Sequence, residues 1–275
     1  MAQATVVADR ITAATGQPVE LVLIETTGDV RLDVPLHTIG GQGVFVKEVQ
    51  LAVLDGRADI AVHSAKDLPS TPADGLVIAA YCERRDPADA LVGRRLDDLA
   101  VGATVATGSV RRRAQLGGAR PDLRFVELRG NIDTRLSKIP EDGAIVMAVA
   151  ALDILQMTDR IAERLDVDRF VPAVGQGCVA VECRSDDVAT RAAVAAVDHA
   201  ATRRDVEIER AFLAELGSGC SLPVGGHVRD GRLTVVLADT DIGQSIVATV
   251  ELHGDDGDVG RARRAALGAQ DALRR

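Results

Sequence analysis

VGATVATGSVRRRAQLGGARPDLRFVELRGNIDTRLSKIPEDGAIVMAV, residues 101–149, decides the fold. Apolar runs at 101–106, 124–128 and 144–149 read as strands, and 110–116 and 130–137 between them carry helical spacing. Strand, helix, strand, helix, strand predicts an α/β sheet with crossover helices. Upstream, Phe45, Val49, Ala52 and Val53 fall at helical spacing, and Gly56 supplies a stop before a buried strand over 58–62. That order predicts a helix feeding a parallel strand. A helix over 5–14, a strand over 19–25 with a Gly28-Asp29 turn, and a strand over 76–81 complete the first part.

Two punctuated stretches mark where the chain changes domain. Glu83-Arg84-Arg85-Asp86-Pro87 is charged and turn-forming, and 171–177 is a Pro/Gly-rich hinge leading into a strand over 178–182. The expected organisation is a discontinuous first domain (1–83 and 178–196), an arginine-rich second domain (87–171) and a small α+β third domain (197–275). Two crossings place a cleft between the first two. The third is read as a helix over 205–216, a loop, strands at 227–228, 233–238 and 245–252, and a closing helix over 261–273.

At 275 residues the length suits two or three domains. The net charge of −9, with 2% aromatic residues and no Trp, argues against a nucleic-acid binder and against anionic membranes. No basic and apolar leader opens the chain, and the longest apolar run, 144–152, has nine residues, so a soluble cytoplasmic protein is expected. Cys82, Cys178, Cys183 and Cys220 lack metal-ligand spacing, and no metal is expected. Three of them read as small buried hydrophobes. Cys220 differs, because it lies in the polar loop Gly217-Ser218-Gly219-Cys220-Ser221-Leu222-Pro223.

Chemistry concentrates at strand ends. His63-Ser64-Ala65-Lys66-Asp67-Leu68-Pro69 sets a carboxylate beside an ammonium at the mouth of the 58–62 strand, where α/β sheets bind ligands. Thr107-Gly108-Ser109 precedes a helix whose first turn holds Arg111, Arg112 and Arg113. Cations there oppose the helix dipole, which makes sense if something negative is bound. Arg129-Gly130-Asn131 opens another helix, carrying Arg135. Arginine forks suit carboxylates, so a small polyanion is the expected ligand; the bland alternative pairs these arginines with Glu127 and Asp133. His63 reads as a structural histidine satisfied by Ser64 and Asp67. Two classes stay open: an enzyme using Asp67 on a polycarboxylate, and a two-lobed solute-binding protein of periplasmic type. The missing export signal and the loop thiol favour the enzyme.

Six ordered blocks closely resemble the porphobilinogen deaminases, also called hydroxymethylbilane synthases. They are GGQGVFVKE (40–48), ADIAVHSAKDLP (58–69), ATGSVRRRAQL (106–116), LRGNIDTRL (128–136), PAVGQG (172–177) and ERAFLAELGSGCSLPVG (209–225). The resemblance implies two periplasmic-binding-like (type II) α/β domains plus a small α+β domain, monomeric and in the cytoplasm. It implies a transferase of heme and porphyrin biosynthesis that condenses four porphobilinogen molecules onto a covalent dipyrromethane, releasing ammonia and hydroxymethylbilane. Cys220 matches the thioether anchor and Asp67 the catalytic aspartate, which steadies an azafulvenium cation. Cofactor and carboxylate binding falls to Ser64, Lys66, Asp67, Thr107, Ser109, Arg111, Arg112, Arg129 and Asn131, and substrate binding to Gln3, Arg129, Arg135 and Arg160.

Three departures stand out. The family opens with a strand and a TRxSxLAxxQ-like stretch, of which only Met1-Ala2-Gln3-Ala4 remains. Its loss is expected to leave backbone groups of the first sheet unpaired; it implies either a start placed too late or a weakly active homologue. Gln42 stands where the family has Lys, and Ser218 where it has Gly.

Overall fold

The computed structural model describes residues 1–24, 46–217, 223–239 and 244–274. Helix α1 spans Ala2–Thr15 and α2 Lys47–Leu54; strands β1 (Ile60–Ser64) and β2 (Leu76–Tyr81) follow, with one turn of 3-10 helix, Ala65–Asp67, directly after β1. The middle of the chain forms β3 (Asp89–Val92), β4 (Thr104–Ala106), α3 (Val110–Ala119), β5 (Arg124–Val126), α4 (Ile132–Leu136), β6 (Ala144–Ala148), α5 (Val149–Ile154) and β7 (Glu163–Arg164). The remainder supplies β8 (Val179–Arg184), α6 (Val188–Val194), α7 (Ala200–Glu215), β9 (Val224–Arg229), β10 (Arg232–Asp239), β11 (Gln244–Glu251) and α8 (Asp258–Leu273).

These strands build three sheets. The stretch 101–149 forms the βαβαβ unit that its pattern predicts: β4 lies parallel to both β5 and β6. Strand β6, Ala-Ile-Val-Met-Ala, is buried on both faces, as a continuous apolar run in a covered sheet must be. Two unforeseen short strands extend this sheet antiparallel, giving the order β5-β4-β6-β3-β7. The third sheet, β11-β10-β9, packs Leu233, Val235 and Leu237 against Phe212 of α7 and Ala262 and Ala266 of α8.

In the first sheet the order is β1-β8-β2, and both outer strands run antiparallel to β8. The expected parallel strand is therefore corrected: β1 pairs with a strand that returns from the second lobe over a hundred residues later, a partner that local sequence cannot show. The expected strand over 19–25 is corrected as well. Residues 19–24 have no strand pairing among the described residues, and Leu21, Val22 and Leu23 stand 42%, 54% and 74% exposed. Apolar alternation makes a strand only beside an edge that completes its ladder.

The two crossing segments lie against each other. Arg85 N–H donates to the Gly177 carbonyl at 2.9 Å, and Cys82 N–H to Val179 at 2.9 Å. Gly177 has φ +86°, and a Cβ there would stand 2.5 Å from the Arg85 oxygen, so the close approach requires glycine. This doubled strap joins the lobes and brings the end of β1 opposite β3 and α3.

Candidate active site

The site begins where β1 ends. Ala65 N–H donates to the Cys178 carbonyl at 2.9 Å, which ends β1 against the returning strand and turns Lys66 and Asp67 out of the sheet. Asp67 is exposed, so its carboxylate is open to a ligand. Lys66 Nζ donates to Gln176 Oε1 at 3.3 Å. Burial pulls this ammonium down to about 8, with Arg112 and Arg111 adding to the effect and Asp67 and Asp89 opposing it.

Across the strap, Asp89 at the start of β3 organises the second lobe's cations. Arg112 donates to Asp89 Oδ1 from Nε (3.0 Å) and Nη2 (2.7 Å), Arg111 Nη2 to Oδ2 (2.8 Å), and Gln176 Nε2 to Oδ1 (2.8 Å). Arg111 also donates to the Val171 carbonyl (2.7 Å), and Arg112 to that of Val146 (3.0 Å). Burial pushes the Asp89 carboxyl up, but Arg111 and Arg112 outweigh it and hold the group far below the usual carboxylate range. Part of the anion expected at this helix start is therefore the protein's own. Arg113 points elsewhere, 3.6 Å from Glu127, which is the bland pairing.

Thr107 and Ser109 form the turn before α3: Ser109 N–H donates to Thr107 Oγ1 (3.2 Å), and Ser109 Oγ accepts from Arg112 N–H (3.4 Å). Asn131 caps α4 in the same way, accepting from Thr134 N–H at 2.9 Å. Arg135 Nε donates to the Gly130 carbonyl at 2.7 Å. Burial lowers the Arg135 guanidinium, with Arg112 and Arg129 adding to this and Asp67 opposing it, so these four charges act on one another. The second lobe thus faces Lys66 and Asp67 with Arg112, Arg129 and Arg135. Among the described residues, five cations, counting Arg111 and Lys66, meet two carboxylates, Asp67 and Asp89.

Gln3 and Ser64 hydrogen-bond reciprocally, at 2.9 and 3.2 Å. They line a cavity of about 40 Å³ with Lys66, Arg85, Ile154 and Cys178, room for roughly one water. A larger space of about 330 Å³, bounded by Leu23, Glu48, Leu51 and Arg57, touches none of the expected site residues. The charges, not the volume, pick the site. Arg160 is exposed on a separate 3-10 turn, and its side chain has no hydrogen bond or ion pair among the described residues. Cys220, Ser218 and Gln42 lie outside the described residues.

His63 is corrected: its partner is neither Ser64 nor Asp67. Its Nε2 lies 3.1 Å from Glu182 Oε2, which also accepts from Gln50 at 2.9 Å, so the histidine serves the interior of the first lobe. Cys82, Cys178 and Cys183 are buried free thiols, and burial pushes Cys178 up to about 12, which leaves it inert. Asp89 and Gln176 escaped the sequence reading. Their only signal is a polar residue beside each strap, Asp89 two residues after Pro87 and Gln176 between two glycines. Among the described residues there is no cluster of three metal-ligating side chains, and no helix is long and apolar enough to cross a membrane.

Residues 1–192 match the profile for porphobilinogen deaminase, dipyromethane cofactor binding domain, and residues 204–270 that for porphobilinogen deaminase, C-terminal domain. The porphobilinogen deaminase of Thermobifida fusca (strain YX) is 47% identical over 253 residues, covering 88% of this chain and 79% of its own. Among solved structures, the Bordetella pertussis BvgS VFT2 domain is 15% identical, over 71% of this chain and 76% of that one, with a TM-score of 0.42. YhfZ from Shigella flexneri is 18% identical, over 79% and 92%, with a TM-score of 0.39. By the profile match over its first 192 residues and the 47% identity, this chain belongs to the porphobilinogen deaminase family.

Proposed function

We propose that the cleft between the lobes carries the family's reaction, with Asp67 as the catalytic carboxylate and Cys220 as the cofactor's covalent anchor. The enzyme is a transferase that makes hydroxymethylbilane from porphobilinogen, and its cofactor is dipyrromethane. The observation that carries the site assignment is the meeting of Asp67 and Lys66 from one lobe with Arg112 and Arg135 from the other.

Pyrroles bearing acetate and propionate arms are dense in carboxylates, and a cleft whose described residues set five cations against two carboxylates fits them. Lys66, Arg111, Arg112, Arg129 and Arg135 are the groups assigned to those arms, with Ser64, Thr107, Ser109 and Asn131 around them. Gln3, tied to Ser64, stands on the substrate side, and Arg160 is assigned to substrate handling from a separate turn. When bound, dipyrromethane supplies a nucleophilic pyrrole carbon and a tether for the product. Asp67 steadies the positive charge that develops on a porphobilinogen ring as its amine leaves, passes a proton to that leaving amine and takes one from the attacking pyrrole carbon. A monomer in the cytoplasm, without nucleic acid or membrane, completes the reading.

Intact mass and turnover test it together. The purified protein is expected to exceed its sequence mass by one dipyrromethane, attached at Cys220, and to form hydroxymethylbilane; turnover at the bare sequence mass would end the assignment of Cys220. Asp67→Asn keeps the shape and removes the charge. Its turnover is expected to fall by on the order of a hundredfold or more, the usual loss for one electrostatic contact to a transition state, with the cofactor mass retained. Full activity in that variant would end the assignment of Asp67.

A further inference from the structure

Gln176 is 1% exposed, and its side-chain amide is hydrogen-bonded at both ends. Nε2 donates to the Pro87 carbonyl (2.7 Å) and to Asp89 Oδ1 (2.8 Å), while Oε1 accepts from Lys66 Nζ (3.3 Å). Its main-chain carbonyl accepts from Arg84 Nε at 2.9 Å. One residue of the returning strap thereby touches the other strap, the second lobe's buried carboxylate and the first lobe's half-buried lysine. Nothing in the reaction requires an amide here, and a buried polar side chain costs free energy unless its placement serves something.

We propose that Gln176 is a positioning residue: it holds Lys66 in register with the Asp89–Arg111–Arg112 group, so that cations from both lobes meet a polycarboxylate as one surface. The inference rests on the cleft assigned above. Its physical content is directional. Among the described residues the amide oxygen is the one neutral acceptor on an ammonium otherwise surrounded by charges, Asp67 on its own turn, Asp89 on β3, and Arg111 and Arg112 on α3. Because Nε2 is committed to Asp89 and Pro87, the amide cannot flip without setting Nε2 against Lys66 and its oxygen against Asp89. Lys66 is thus aimed by a group that reads the position of the second lobe.

Two substitutions displace this contact in opposite senses. Gln176→Met keeps the length and removes the acceptor, so the protonated form of Lys66 loses support. Gln176→Glu sets a carboxylate against it and favours the protonated form. In the full chain, acetic anhydride labelling of Lys66 against pH, followed by peptide mass spectrometry, is expected to shift its midpoint down by about one unit in the first variant and up by about one in the second. With cofactor-loaded enzyme, Gln176→Met is expected to raise KM for porphobilinogen on the order of tenfold with little change in kcat, the pattern of lost uniform binding. In a Lys66→Met background the same substitution should add nothing to KM, because the amide acts through the lysine.

Thermal melts confirm which variants fold, and one folded variant suffices. Parental labelling midpoints in folded variants, or a full additional KM effect without Lys66, would overturn the proposal. If the parent carries no dipyrromethane and makes no product, the functional reading falls, while the labelling arm still judges Gln176.

Discussion

Asp67 and Asp89 divide the work of a carboxylate in this cleft. Asp67 is exposed and faces charges on both lobes, whereas Asp89 is 1% exposed and spends its oxygens on Arg111, Arg112 and Gln176. Removing charge from each should therefore have opposite signatures. Asp67→Asn is expected to leave stability within about 0.5 kcal/mol, as exposed substitutions do. Asp89→Asn strands two buried guanidinium groups and should cost about 3–5 kcal/mol in chemical denaturation, the range for breaking a buried ion pair from one side. If both variants unfold at the parent's midpoint, the Asp89 cluster is not what holds the second lobe's cations. At this scale the sequence was half legible. Asp67 and Lys66 stand just past a short apolar strand, where a solvated turn is an equally good reading until the arginines are added, and Arg111 and Arg112 stand out because they sit at the wrong end of a helix. What remained hidden was their neutraliser: an Asp opening a four-residue strand looks like any turn residue until the chain folds it onto α3.

Helix α7 is the element that fixes the straps to the third sheet. Its Glu209, fully buried, accepts from Arg84 Nη1 (2.6 Å) and Nη2 (3.1 Å), from Gly175 N–H (2.8 Å) and from Val228 N–H (2.8 Å). Burial pushes this carboxyl up, but Arg84 and His227 outweigh it and bring it down to about 2. The sign follows from the depressed value: Glu209 favours the folded state above the ordinary Glu pKa of about 4.3, and that contribution is lost as pH falls toward about 2. Glu209→Gln should therefore destabilise by about 3–5 kcal/mol at neutral pH. The gap to the parent should narrow in urea titrations at about pH 3; a gap independent of pH would mean that packing, not charge, does the holding. The pattern gave a helix over 205–216 and the resemblance quoted Glu209 in a motif, but neither could separate a core carboxylate from a solvated one. Strands β4 to β6 were legible for the converse reason, since their apolar runs and intervening helices are local. Strands β3 and β7, of four and two residues, exist only because a neighbouring edge accepts them.

The molecule as a whole is acidic, with a net charge of −9, while among the described residues its cleft gathers five cations around two carboxylates. Composition revealed the first fact and motif position the second. The discontinuous first sheet, in which β8 returns between β1 and β2, was legible only as two hinges, because strand pairing at that sequence distance leaves no local trace. The opposition of charges has a measurable consequence. A carboxylate-rich substrate is repelled by the net negative charge and attracted by the cleft's cations, so its capture depends on how far each field reaches. At low ionic strength both fields extend well beyond contact; near physiological salt the Debye length is about 8 Å, and only charges close to the ligand still act. Exposed surface charge is screened first, and the partly buried cleft cations are screened least. KM for porphobilinogen should therefore change little from low to moderate salt, as the repulsion and the outer attraction fade together, and rise only when salt competes within the cleft. The same reasoning gives a sign for pH: as Lys66 loses its proton through about 8, the cleft loses one cation, so KM should rise on the alkaline side while kcat is less affected. Initial rates across salt at neutral pH, and across pH at fixed salt, test both. A KM that climbs steeply from the lowest salt would show long-range attraction governing capture, and a KM flat through the alkaline range would remove Lys66 from the carboxylate contacts.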